Sequence, residues 1–297
     1  MIIHTNYPFP VRKLFLDQME IAYIDVGKGQ ECLVFVHGFA SYLPVWAKNI
    51  KSLQNYYRCV ALDLPGHGLS SSSADFSYSI SFYADTIHQL IEYLKIPKVV
   101  LVGHSMGGQI SIKLALKHAE LFSHLILVAP AGFETFTATE QLLLKQFTLP
   151  GIFNTSQYLK LVLNLKNYFH QLNEQEYAKL KEFSRDFYSL REHPNLPVVL
   201  YRSVKGMMDE PVFDDLPQIK APTLVCFGKE DRLIPNRLLH QLSTESVARR
   251  GAEKIPQAQL KLYEHCGHFL QYEYPARFSM DLYKFLNPLV FGKSEFV

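Results

Sequence analysis

The chain has 297 residues, of which 48% are apolar and 20% charged. This is the balance of a globular protein with one large core, or a core that carries an insertion. With 30 basic and 28 acidic residues the formal net charge is +2, which gives no electrostatic reason to expect nucleic acid or an anionic membrane as partner.

No apolar run approaches the ~20 residues of a membrane span. The opening residues Met1-Ile2-Ile3-His4-Thr5-Asn6 lack a basic region followed by an apolar one, so no secretory signal and a cytoplasmic location are expected. The four cysteines, Cys32, Cys59, Cys226 and Cys266, form no C-x-x-C pair, and three of them sit inside strand-like runs. Buried free thiols are the expectation. Asn154-Thr155-Ser156 has the form of a glycosylation sequon, read as accidental without a secretory signal.

In chain order, residues 13–27 read as two short strands with a turn near Asp17-Gln18. The apolar run from Cys32 to His37-Gly38 suits a strand buried on both faces. Residues 43–53 can form a helix, and 58–63 form the next strand, ending in the turn-rich Pro65-Gly66-His67-Gly68. From 78 to 95 the apolar residues Ile80, Tyr83, Ile87, Leu90, Ile91 and Leu94 recur at helical spacing, and Pro97 stops that helix. Residues 98–103 are a strand, 107–118 a helix and 125–129 another strand. Strands alternating with helices call for a parallel sheet.

The pattern changes after Pro130-Ala131-Gly132. From 133 to 215 the chain reads as helical, most plainly over 157–170 and 174–191, with many aromatic residues that mostly pack helix on helix. The sheet pattern resumes with a strand at 223–228. A helix over 236–249, a strand over 259–263 and a helix over 275–286 follow. The expected organisation is an α/β core of residues 1–132 and 216–297, with 133–215 inserted between two core strands as a helical cap.

Gly103-His104-Ser105-Met106-Gly107 matches G-x-S-x-G. An apolar strand precedes it and an amphipathic helix follows, the setting in which this motif holds a serine nucleophile on a strained turn. A serine hydroxyl needs a base within reach. Of 12 histidines, His268 stands out because it follows the last strand and precedes the last helix. His265 is its rival but ends the strand itself, and reads as structural. The spacing His265-x-x-His268 has no carboxylate or cysteine cluster beside it at ligand spacing, so no metal is expected. An imidazole base needs a carboxylate to fix its tautomer. Asp231 ends the preceding strand region and is favoured over its neighbour Glu230. Backbone N–H groups of Phe39, after the first strongly apolar strand, and of Met106 are the candidate oxyanion donors. His37 reads as a residue that shapes the Phe39 loop.

These pieces together resemble the α/β-hydrolase superfamily, in its cap-bearing branch of small esterases, lipases and related enzymes. The resemblance rests on His37-Gly38-Phe39, Asp63-Leu64-Pro65-Gly66-His67-Gly68-Leu69-Ser70, Gly103 to Gly108, Gly228-Lys229-Glu230-Asp231 and Cys266-Gly267-His268. It spans the chain apart from the cap.

The resemblance implies an α/β-hydrolase fold and a serine hydrolase that needs no cofactor. Ser105, His268 and Asp231 would cleave a small-molecule carboxylic ester through an acyl-enzyme. Dehalogenases and epoxide hydrolases of this fold carry Asp where Ser105 stands, and the Phe39 loop lacks the extra glycines of the hormone-sensitive lipase branch. The Asp63–Ser70 loop has no assigned catalytic role, and His67 reads as structural. The aromatic cap suggests an apolar group on the substrate. The same three residues would also suit carbon–carbon bond hydrolysis or cofactor-free perhydrolysis, and the fold also serves as a ligand receptor or interaction module.

Overall fold

The computed structural model describes residues 7–147, 149, 169–170 and 195–288. Strands β1 (Arg12–Leu16), β2 (Met19–Val26), β3 (Cys32–Val36) and β4 (Arg58–Leu62) are followed by β5 (Val99–His104), β6 (Phe122–Val128), β7 (Thr223–Gly228) and β8 (Ala258–Tyr263). They form one sheet in the order β1-β2-β4-β3-β5-β6-β7-β8. The β1–β2 and β2–β4 pairs are antiparallel and all others parallel. This is the α/β-hydrolase fold expected from the motifs.

Every residue of β3, β5 and β7 is buried, because helices cover both faces of the sheet and successive side chains alternate between them. Val34, Val36, Leu101, Leu127 and Phe227 face one apolar core with α2 (Ile80–Tyr93), α3 (Met106–Lys117) and α6 (Thr244–Lys254). Leu33, Phe35, Val102, Ile126 and Leu224 face the other, with α1 (Ala47–Leu53) and α7 (Pro275–Leu286). Each fully buried side chain of this size contributes about 1.5–3 kcal/mol relative to exposure.

The helices expected at 78–95, 107–118 and 275–286 end within two residues of the observed ones. Helix α2 starts where the Ser79 side chain accepts the Phe82 N–H, and it buries Ile80, Tyr83, Ile87, Leu90 and Ile91. The expected helix at 43–53 is a 3₁₀ turn (Leu43–Trp46, with Pro44 at its start) running into α1. The helix expected at 236–249 begins later, at Thr244, where Ser243 caps it by accepting the Ser246 N–H. Before that point side chains claim the backbone. Asp231 Oδ1 accepts the N–H groups of Leu233 and Ile234, and Asn236 Oδ1 accepts that of Leu238. Local bonds of this kind compete with helix formation.

Between β6 and β7 the described residues hold two longer helices, α4 (Ala138–Phe147) and α5 (Leu196–Asp209). They are tied by an ion pair between Lys145 and Asp209. Helix α5 docks on α2 through a 2.8 Å hydrogen bond between Ser203 Oγ and Tyr83 Oη. Phe133, which opens this block, is buried in the core beside Phe227. The helices expected at 157–170 and 174–191 lie outside the described residues, apart from 169–170, as does Asn154.

Among the described residues no helix is long and apolar enough to cross a membrane. All four cysteines are free and buried. Burial pushes their thiols up, that of Cys32 to about 12.

Candidate active site

The chain runs from β3 to β4 on one side of the sheet, then crosses to β5 on the other side of β3. A crevice opens at such a switch point, at the carboxyl ends of the diverging strands. His37-Gly38-Phe39 follows β3, and Ser105 follows β5.

Ser105 occupies the single residue between β5 and α3, with φ 53° and ψ −120°. This left-handed backbone is strained for any residue with a Cβ. It persists because its neighbours hold it. The Ser105 N–H donates to Val128 O at 3.0 Å, and its carbonyl accepts from Gly108 N at 2.8 Å and Ala131 N at 2.9 Å. The turn is tight enough that a Cβ on Gly103 would stand 2.4 Å from both Gly107 O and Ser111 Oγ. A Cβ on Gly38 would stand 2.9 Å from the Ser105 Cβ, so only glycine lets the Phe39 loop lie against the serine. Met106 is the first residue of α3, where N–H groups have no partner within the helix and the helix dipole favours negative charge.

His37 sets the shape of that loop, as expected from the sequence. Its Nε2 accepts the Leu64 N–H at 3.0 Å, so its Nδ1 carries the proton and donates to Gly38 O at 2.8 Å. Asp63, buried in the next loop, accepts N–H groups of Leu43 and Leu69 and the hydroxyl of Tyr7. Burial pushes its carboxyl up to about 6.

His268 Nδ1 lies 2.7 Å from Asp231 Oδ2, with both side chains buried. The Asp231 Oδ1 atom is held by Leu233 N at 2.7 Å and Ile234 N at 3.1 Å. A carboxylate facing Nδ1 puts the proton there and leaves Nε2 as the acceptor. Glu230 points elsewhere: its Oε2 accepts the Cys266 N–H at 2.9 Å. His265 is exposed and 3.9 Å from Glu230 Oε1.

Ser105, His268 and Phe39 all line one cavity of about 700 Å³. Its described wall is mostly apolar, with Phe136, Leu144, Met207, Phe213, Ile234 and Phe269. Glu134, Asp214 and Asp215 are among its described lining residues, though Glu134 is paired with His240 and Asp214 with Lys254, and no Lys or Arg is among them.

A family model described as alpha/beta hydrolase fold matches residues 31–275. The chain belongs to the alpha/beta hydrolase fold family. This hydrolase is 28% identical over 291 residues to YugF, an uncharacterized hydrolase of Bacillus subtilis, with 94% of this chain and 98% of that one covered. It is 29% identical over 286 residues to a 2-hydroxy-6-oxononadienedioate/2-hydroxy-6-oxononatrienedioate hydrolase of Paraburkholderia phymatum, covering 91% and 92% of the two chains. Among solved structures, a probable hydrolytic enzyme of Pseudomonas aeruginosa PAO1 superposes with a TM-score of 0.77 at 25% identity, over 95% of this chain and 96% of that one.

One residue of the hydrolase site escapes the sequence reading. His104, between Gly103 and Ser105, is buried and donates from Nε2 to the carbonyl of His268 at 3.1 Å. Its ring lies 4.8 Å from that of His268. Burial, with the neighbouring His268, holds its pKa well below the usual histidine range. A neutral imidazole can therefore sit behind His268 without repelling it. The only signal in the sequence is the position itself, next to the serine at the end of a strand buried on both faces.

Three buried histidines give this hydrolase a pH dependence. Burial lowers His67 to about 4 and, with a neighbouring histidine in each case, holds His37 and His104 well below 6.5. A depressed histidine adds stability above its unfolded pKa of about 6.5 that is lost as pH falls toward its folded value, at up to about 1.4 kcal/mol per unit. Asp63 and Glu134, raised by burial, act in the opposite direction over the same window. The three histidines outweigh the two carboxyls, so stability falls between pH 7 and 5. Urea denaturation at the two pH values should show it, and equal midpoints would refute it.

Proposed function

We propose that this hydrolase cleaves carboxylic esters of neutral, largely apolar substrates, through an acyl-enzyme on Ser105. Ser105 Oγ attacks the ester carbonyl while His268 Nε2 takes its proton. The oxyanion accepts hydrogen bonds from the N–H groups of Phe39 and Met106, and Asp231 stabilises the imidazolium. His268 then protonates the leaving alkoxide. Water, deprotonated by the same nitrogen, attacks the acyl group and frees the acid. Acyl transfer by this route draws on no cofactor. Residues 133–215 act in this reading as the cap, supplying Phe136, Leu144 and Met207 to the cavity wall. A cytoplasmic site of action belongs to the same proposal and is supported by the four unpaired cysteines.

The observation that carries the ester reading is the charge of the cavity. A dienedioate, the substrate named for the Paraburkholderia relative, carries two carboxylates. Each would enter a wall whose described residues include no Lys or Arg, and a desolvated anion without a partner is costly. A neutral ester meets no such penalty. Carbon–carbon bond hydrolysis is the second reading, and the name of that relative favours it.

Steady-state kinetics on two substrate series separate the readings. One is p-nitrophenyl esters from acetate to octanoate, and the other a dienedioate followed by loss of its conjugated chromophore. The medium-chain esters are expected to exceed the dienedioate in kcat/KM by more than about 100-fold, a difference of some 2.7 kcal/mol in transition-state binding. Faster turnover of the dienedioate would overturn the ester reading, and a preference for acetate over octanoate would overturn its apolar part.

A further inference from the structure

We infer that His170, Glu230 and His265 form a binding site for a borderline divalent transition metal such as Zn²⁺, outside the catalytic cavity. The inference does not depend on the ester reading. These three residues are far apart in the chain, which is why no ligand spacing reveals them. The fold brings their donor atoms within 4.8 Å of one another. His265 Nδ1 is 3.9 Å from Glu230 Oε1, and the imidazoles of His170 and His265 stack at 5.9 Å with an 18° angle between planes. None of the three lines the cavity that holds Ser105.

Each ligand is held by its surroundings. Glu230 spends Oε2 on the Cys266 N–H at 2.9 Å, which leaves Oε1 turned toward His265. The backbone of His265 is left-handed, with φ 53°, and its carbonyl accepts the Tyr274 hydroxyl at 3.2 Å. His170 is anchored by its N–H, which donates to Glu273 Oε2 at 2.8 Å, while Phe169 stacks on Phe269 at 5.1 Å. Partners of this kind orient a ligand and raise its affinity for a metal.

The donor set chooses the ion. Two imidazoles and one carboxylate suit Zn²⁺, Ni²⁺, Co²⁺ or Cu²⁺, whereas Ca²⁺ and Mg²⁺ take oxygen ligands. Tetrahedral zinc, with bonds of about 2.0–2.2 Å, needs donor atoms some 3.3–3.5 Å apart. The present spread therefore has to close by up to about 1.4 Å. His170 and His265 are both exposed, so small side-chain rotations suffice.

Glu230 precedes Asp231, and His265 lies on the loop that carries His268. A bound metal thus ties residue 170 to the two loops that hold the Asp231–His268 pair. Stabilisation is the expected consequence, because the ligands are together only in the folded chain.

The test uses the full chain, stripped with a chelator and titrated with Zn²⁺ against a chromogenic competitor. Wild type is expected to bind one equivalent tighter than about 10 µM. Its Tm should rise by roughly 5 °C at a hundredfold excess over Kd. His170→Gln and His265→Gln should each weaken binding by at least about tenfold and abolish the rise in Tm. Their ester turnover without metal and their circular dichroism should match wild type, and Ca²⁺ should not compete. Absence of binding tighter than about 100 µM, or binding that survives both substitutions, would overturn the site.

Discussion

Ser105→Ala is expected to lower kcat for p-nitrophenyl esters by about 10⁶-fold, the scale seen when a serine nucleophile is removed from another hydrolase. The substitution deletes one oxygen and leaves the cavity wall intact. KM should therefore change little while kcat collapses. A residual acceleration of about 10³-fold over water should persist, because the substitution leaves the proposed oxyanion donors, the N–H groups of Phe39 and Met106, in place. The backbone at position 105 keeps its bonds to Val128, Gly108 and Ala131, so the variant should fold. Stopped assays at high enzyme concentration, beside a urea melt, read both quantities. Turnover within tenfold of wild type would remove Ser105 from the chemistry.

Asp231→Asn carries the second-largest expected effect, a fall in kcat of about 10⁴-fold with KM nearly unchanged. The reason lies in the partners of the carboxylate. Oδ1 accepts two backbone N–H groups, from Leu233 and Ile234. In an asparagine the amide oxygen has to keep that position, because an NH₂ group there would face two donors. The NH₂ group then faces His268 Nδ1, which must become an acceptor. The proton moves to Nε2, and the imidazole can no longer take one from Ser105. Glu230→Gln is the control. Its Oε2 serves the Cys266 N–H, so its kcat should stay near wild type. Steady-state kinetics on the pair checks both, and comparable losses in the two would refute the role of Asp231.

How much was legible in the sequence follows from the range of each interaction. Strands β3, β5 and β7 can be read because both faces are buried, so their composition is apolar throughout. Helix α2 can be read because one face is buried and its end is capped by Ser79. The stretch from 236 to 243 misleads. Its apolar residues have helical spacing, but Leu238 and Leu242 are exposed and side chains take up the backbone donors.

At the site, Ser105 announces itself through the glycines its turn requires. The choice of Asp231 over Glu230 has no such local cause. It depends on which carboxylate faces His268 across two loops, a contact between residues 37 positions apart. His104 is harder still, since a histidine buried in a strand gives no sign of the carbonyl it holds. His170, Glu230 and His265 lie at the far end of this scale, as no two of them share a local motif.

The most direct measurement is to treat the protein with a fluorophosphonate and locate the adduct by mass spectrometry. An unactivated serine does not react at an appreciable rate, whereas one with a base at hand and oxyanion donors in place does. One phosphonyl group is expected, on the peptide that contains Ser105, with ester turnover lost in proportion to labelling. Asp231→Asn should slow the labelling and Ser105→Ala should abolish it. An unlabelled wild-type protein, or an adduct on another residue with Ser105 unmodified, would contradict the assignment of Ser105 as the nucleophile.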